Sequence, residues 1–196
     1  MVETTDALPA EVYRQLAAAV ASRRHAMHAP VVAGGDGDAR VMVLRGVDPA
    51  LAALRFHTDA RAPKVAALGV DPRVTVLGYD PAARVQMRLK GVARIEREGD
   101  AADAAWAATS TMGRRCYLAL RAPGVAAATP GASLPEALAA RRPTTAETAA
   151  GRLNFAVLLV SVLTIDWLRL DSRGGTRAVL QRAEPGAPWH GGWVAP

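Results

Sequence analysis

Cysteine is nearly absent. Cys116 is the single one, which excludes an intramolecular disulfide and any paired-cysteine metal site. Lysine is also scarce: of 24 basic residues only Lys64 and Lys90 are lysines, the rest being arginine. Aromatic residues make up 5% of the chain. Histidine is limited to His25, His28, His57 and His190. The first two are spaced i, i+3, but no cysteine or carboxylate cluster completes a set, so no metal site is expected. No long hydrophobic run occurs. The longest, around Phe155 to Ile165, is too short to cross a bilayer, so no membrane association is expected. Glu3 and Asp6 stand where a secretory leader would be basic and then apolar. No run of five like charges accompanies the net charge of +6, which argues against nucleic acid as a partner. GxSxG is missing, and GGDGD at 34–38 has no preceding strand and no following GK[ST], so neither a serine hydrolase nor a phosphate-binding loop is indicated. These exclusions leave a soluble, cytoplasmic protein whose 196 residues suit a single domain, 1–196.

The pattern along the chain is mainly β with peripheral helices. Residues 9–24 form an amphipathic helix, with Val12, Leu16, Ala19 and Val20 on one face and Pro9 at its start. Glycines make 33–38 a loop. Strands are expected at 39–47, 54–59, 71–80 and 83–98, with a short helix at 62–70. In the fourth strand Val85, Met87 and Leu89 alternate with Arg84, Gln86, Arg88 and Lys90, and Gly91 suggests a bulge or bend. Residues 99–124 read as helical and broken near Gly113, followed by an irregular segment at 123–150 with a helical stretch at LPEALAARR. Residues 152–171 are a long strand with an expected bend at Ser161–Thr164; 176–183 is the last strand, and the remainder an irregular tail. Links between neighbouring strands are too short for parallel crossovers, so a small barrel is favoured over a parallel sheet.

Chemistry-bearing residues gather at strand ends. Arg40 and Arg45 bracket one strand, Thr58, Arg61 and Lys64 cluster after the next, and Arg173 and Arg177 flank the last turn. Guanidinium, ammonium and hydroxyl groups beside a helix start are suited to a phosphate. Solvated strand-end charges are the plainer reading of the same residues. No paired carboxylates or general base stand out, and catalytic residues are not assigned.

The order of fragments adds weight to the phosphate reading. RVMVLRGV, FHTDARAPKVAAL, DPRVTVLGYD, RVQMRLKGVARI and DWLRLDSRGGTRAVL follow one another, and the chain closes on W-x-x-x-W-V-x-P at the C-terminal end. This succession resembles the pyridoxamine 5′-phosphate oxidase-like family, whose members are FMN-binding split β-barrels. The resemblance implies FMN as cofactor and a homodimer acting on a small-molecule substrate by hydride transfer. Arg40 and Lys64 would hold the FMN phosphate, with Thr58 donating a hydroxyl and Arg61 beside it. Backbone from Val41 through Met42 and Val43 to Leu44 would run along the flavin ring, with Arg45 at its end and Gln86 hydrogen-bonded to it. Trp167 and Arg177 would come from the second subunit, and Arg173 would face substrate.

Two departures distinguish this chain from true pyridoxamine-phosphate oxidases. Ala62 and Pro63 remove a hydroxyl and a backbone donor from the phosphate loop. Gly175 stands where those enzymes have a substrate-binding histidine, and WAATSTMGRRCY lacks their substrate-phosphate spacing. An oxidase-related subgroup fits best. A non-catalytic FMN-binding protein, or a split barrel holding haem or a deazaflavin, are the alternatives.

Overall fold

The computed structural model describes residues 4–196. Helix α1 (Leu8–Ala21) precedes strands β1 (Val31–Gly34), β2 (Ala39–Val41), β3 (Leu44–Val47) and β4 (Leu54–Asp59). Helix α2 (Pro63–Val70) leads into β5 (Arg73–Asp80) and β6 (Val85–Glu96). Four short helices follow: α3 (Asp100–Ala108), α4 (Thr111–Arg114), α5 (Glu136–Ala139) and α6 (Thr145–Thr148). Strands β7 (Phe155–Arg169), β8 (Thr176–Gln181) and β9 (His190–Val194) complete the chain. Strand order is β2-β1-β5-β6-β7-β4-β3, with β8 on β7 and β9 on β8. Among the described residues no helix is long and apolar enough to cross a membrane.

Two compact units divide the chain. One comprises residues up to Phe56, Leu68–Arg94 and Leu159–Pro196; the other His57–Ala67 and Ile95–Leu158. In the first, α1 buries Leu8, Val12, Leu16 and Ala19, the face its spacing predicts. The helix stops three residues short of the expected end because Ser22 turns extended and its N–H closes on Ala18 C=O at 3.0 Å. The two early histidines brace the next turn. His25 Nδ1 accepts from the Met27 N–H at 3.1 Å, and His28 Nδ1 donates to Ala19 C=O at 2.7 Å. β5 and β6 pair without a break from Arg73↔Val92 to Asp80↔Val85. The expected alternation holds, with Val85, Met87 and Leu89 at 1–3% exposure.

Several expectations need correction. Residues 39–47 are not one strand. β2 pairs with β1, the Met42 N–H turns to Pro30 C=O at 3.0 Å, and β3 then pairs with β4. The segment serves two neighbours, so it breaks between them. Val31–Ala33 is paired on both sides and Gly34 with Val74, which confines the glycine-rich loop to 35–38. β7 covers Phe155–Arg169, shorter at both ends than the expected 152–171. Gly91 makes no bulge against β5. Instead a Cβ there would lie 1.9 Å from Ser161 C=O, so glycine is required by the approach of β7. The expected irregular tail contains β9, and Gly191, at φ +139°, passes where a Cβ would meet Val179 C=O at 2.1 Å.

Arg182 ties loop to sheet in the same unit. It is 6% exposed and donates to Val162 C=O (2.8 Å), Ala50 C=O (3.0 Å) and Leu51 C=O (2.6 Å). Trp189 covers the guanidinium at 4.2 Å. Burial pulls the Arg182 pKa below its ordinary value.

In the second unit Trp106 and Tyr117 pack on Phe155 at 5.3 and 5.0 Å between ring centres. His57 is half-buried and meets Phe155 edge-on at 4.8 Å. Cys116 is exposed. The irregular segment holds one well-built element. Thr144 and Glu147 cap α6 reciprocally, and Arg141 together with Thr144 brings the Glu147 carboxyl down to about 2.

The two glycines of contrasting surroundings give a direct test. Gly91→Ala should destabilise by at least about 2 kcal/mol, since the contact is backbone and cannot move aside. Gly69→Ala, in α2 with nothing within 4 Å of its added Cβ, should be neutral or stabilising by up to about 1 kcal/mol. Urea midpoints of the two variants against the parent check this.

Candidate functional site

Residues expected to hold a phosphate fall on the end of β4 and the start of α2. Thr58 is 4% exposed, and its hydroxyl makes only a long 3.4 Å contact to Asp59 C=O. That leaves its donor capacity largely unspent. Asp59 organises the turn. Its carboxylate accepts from the Arg61 backbone N–H at 2.9 Å and from Arg61 Nε and Nη2 at 3.0 and 2.8 Å. Arg61 Nη1 donates to Ala119 C=O at 3.0 Å. Hydrogen bonding to Asp59 raises the Arg61 pKa above its ordinary value. Arg61 is therefore largely committed to holding the loop. The Ala62 N–H donates to Asp59 C=O and the Val65 N–H to Ala62 C=O, at 3.0 and 2.9 Å. With backbone donors so used, the Thr58 hydroxyl is the group here with donor capacity to spare.

The other expected cofactor residues lie in the first unit. Arg40 sits on β2 opposite Val32 and is ion-paired with Asp38. Val41 is 66% exposed, whereas Met42 and Leu44 are buried and Val43 lies between. The irregular backbone at 42–43 separates the two short strands, leaving Val41 outward. Arg45 is exposed, and its carbonyl accepts from Arg55 Nη2 at 3.2 Å.

Gln86 and Arg177 come to one sheet face, joined by two residues that sequence reasoning gave smaller roles. Gln86 shares its face of β6 with Arg88. Arg88 ion-pairs with Asp166 on β7. Arg177 Nε and Nη2 donate to the same carboxylate at 3.0 and 2.9 Å. Asp166 thus partners two arginines. Its burial opposes ionisation, but the hydrogen bonds from Arg177 and Arg88 outweigh that and hold its pKa below the usual carboxylate range. The cluster carries two guanidinium groups on one carboxylate, a net positive surface beside Gln86.

Trp167 does not join this group. It pairs with Ala178, whereas Arg177 pairs with Leu168, so alternation puts Trp167 and Arg177 on opposite faces of the β7–β8 ribbon. Arg173 stands in the β7–β8 turn with its side chain 91% exposed. Its backbone N–H donates to the Asp171 carboxylate at 3.0 Å. Among the described residues no three metal-ligating side chains come together.

Asp166→Asn should cost about 1–3 kcal/mol at pH 7, because two half-buried cations lose their anion. The depressed pKa gives Asp166 a contribution present above the unfolded carboxylate value near ~3.9 and lost as pH falls through its folded value. The difference between parent and variant urea midpoints should therefore shrink between pH 7 and pH 3.

Residues 10–97 match the family model described as pyridoxamine 5′-phosphate oxidase, FMN-binding domain. A pyridoxamine 5′-phosphate oxidase-related, FMN binding protein from Nostoc punctiforme PCC 73102 superposes with a TM-score of 0.75 at 22% identity, over 95% of this chain and 96% of that one. PhzG from Burkholderia lata 383, solved with tetrahydrophenazine-1-carboxylic acid, gives 0.69 at 20% identity over 95% and 91%. A protein related to general stress protein 26 from Clostridium acetobutylicum gives 0.51 at 12% identity over 85% and 93%. No curated protein matches the sequence. The chain thus has the split β-barrel fold of the pyridoxamine 5′-phosphate oxidase-related proteins, and residues 10–97 match that family's FMN-binding domain in sequence.

Proposed function

We propose that this protein is an FMN-dependent oxidoreductase that exchanges a hydride with a small organic substrate. The observation that carries this reading is the extent of the family match. Residues 10–97 include Arg40, Val41–Arg45, Thr58, Arg61, Lys64 and Gln86, nearly the whole expected cofactor set. The residues present suit the group. A buried hydroxyl at Thr58 with little else to bond, an ammonium at Lys64 and a guanidinium at Arg40 are donors for a phosphate dianion. When bound, FMN would supply the hydride chemistry itself.

The chain's own residues then have separable tasks. Arg40, Thr58 and Lys64 bind the phosphate, while Arg61, clamped by Asp59, keeps the loop in shape around it. Val41 to Leu44 offer backbone to the ring, with Arg45 at its end, and Gln86 offers an amide. Arg177, oriented by Asp166, would bring positive charge to the cofactor of a partner subunit in a homodimer. That charge favours an anionic reduced ring. A cofactor role for Trp167 requires the partner's cofactor to reach the opposite ribbon face.

A second reading, FMN binding without turnover, is favoured by Arg173. Its side chain is 91% exposed in a turn where Gly175 replaces the family's substrate histidine.

FMN titration of the Arg40→Ala, Lys64→Ala double variant tests the phosphate site. Two lost charge-assisted contacts, at about 1.5–3 kcal/mol each, should weaken binding by at least a hundredfold. Unchanged affinity would remove these residues from the site and with them the reading.

A further inference from the structure

A second segment of the chain lies along the loop that carries Thr58, Arg61 and Lys64. Residues 119–124 belong to the same compact unit as that loop. Arg61 Nη1 donates to Ala119 C=O at 3.0 Å. Gly124, at φ +84°, ends the segment against the loop, where a Cβ would stand 3.1 Å from Pro63 Cγ. The chain between these two contacts therefore passes beside Arg61–Pro63 and brings Arg121 to the phosphate loop.

The loop has few donors of its own to give there. Ala62 has no hydroxyl, and its N–H already donates to Asp59 C=O at 3.0 Å. Pro63 has no N–H. Arg61 is clamped by Asp59. Other arginines of this unit are committed to backbone carbonyls: Arg97 to Ala60 at 3.2 Å, Arg114 to Trp106 at 3.0 Å, Arg115 to Ala139 at 3.1 Å and Arg152 to Arg97 at 2.8 Å. Arg121 is placed differently. It is exposed, and among the described residues its side chain bonds to a single hydroxyl, Nε donating to Ser133 Oγ at 3.3 Å. Its two Nη groups take no acceptor among the described residues.

Ser133 holds Arg121 at a cost in backbone strain. Its backbone is left-handed, at φ +51°, a region that side chains rarely adopt. The Leu120 N–H donates to the Ser133 carbonyl at 2.8 Å, and the Arg121 N–H donates to its Oγ at 3.2 Å. Strain fixed by neighbours in this way is a mark of a functional position. Because Oγ accepts both Arg121 bonds, the hydroxyl still has its own proton to donate.

We propose that Arg121 is a further ligand of the cofactor phosphate, positioned by Ser133. Its uncommitted Nη groups form a fork suited to two phosphate oxygens. They supply the donation that Ala62 and Pro63 do not. This rests on FMN as the cofactor and extends its site beyond the matched residues 10–97.

Fluorescence titration of the protein with FMN, and with riboflavin, which lacks the phosphate, tests the assignment. The parent should bind FMN the more tightly. Arg121→Ala should weaken FMN at least about tenfold and leave riboflavin affinity and the thermal midpoint unchanged. Ser133→Gly suits the left-handed backbone and removes the hydroxyl. It should weaken FMN by less than Arg121→Ala does, again without touching riboflavin. Unchanged FMN affinity in Arg121→Ala, or an equal loss for both flavins, overturns the proposal. The Arg40→Ala, Lys64→Ala variant separates that failure from failure of the phosphate site itself. If it loses the preference for FMN while Arg121→Ala keeps it, the site stands without Arg121. A parent that binds neither flavin, or both alike, overturns the phosphate site and the role of Arg121 together.

Discussion

Burial of β7, on both faces at Phe155–Leu158 and Ile165–Trp167 and on one face between them, is the constraint on which the rest of the structure depends. Phe155 to Leu158, Val160, Val162, Ile165, Asp166 and Trp167 are all buried, while Leu159, Ser161, Leu163 and Thr164 are half-buried. Residues of the strand contribute to both compact units. Its neighbours adapt to it. β6 places Gly91 against Ser161 because no side chain fits there, and Arg182 reaches back to the Val162 carbonyl to fix the loop at Ala50 and Leu51. Because residues alternate along it, the same strand delivers Asp166 to one face and Trp167 to the other.

That alternation separates Asp166 from Trp167. On one face Asp166 gathers Arg88 and Arg177 beside Gln86, a pre-oriented positive surface of the kind an anionic ring system favours. Such orientation is obtained by burying a carboxylate, which is tolerable only because both guanidinium groups reach it. On the other face lies Trp167, 4% exposed.

Much of this was legible in the sequence, where side-chain patterns alone decide the outcome. The α1 face, the β6 alternation and the grouping of Thr58, Arg61 and Lys64 between a strand and a helix follow from periodicity and turn chemistry. The ordered fragments from RVMVLRGV to DWLRLDSRGG resemble the split-barrel family; the fold agrees with that resemblance, and residues 10–97 match the family's FMN-binding domain. Glycine-rich strands were not legible. β1 and β9 contain Gly34, Gly191 and Gly192, and pairing with a neighbour rather than their own composition makes them strands. The break at Met42–Val43 was hidden for a related reason: it arises from a change of partner. The commitment of Arg61 to Asp59, and the double use of Asp166, depend on side-chain geometry that sequence spacing does not reveal.

The central claim is that this fold carries FMN. The most direct measurement is the visible absorption spectrum of the freshly purified protein, with the released cofactor identified by mass. The account predicts flavin bands and a released mass equal to that of FMN. A colourless protein that takes up no added FMN, or one that releases haem or a deazaflavin, would contradict it.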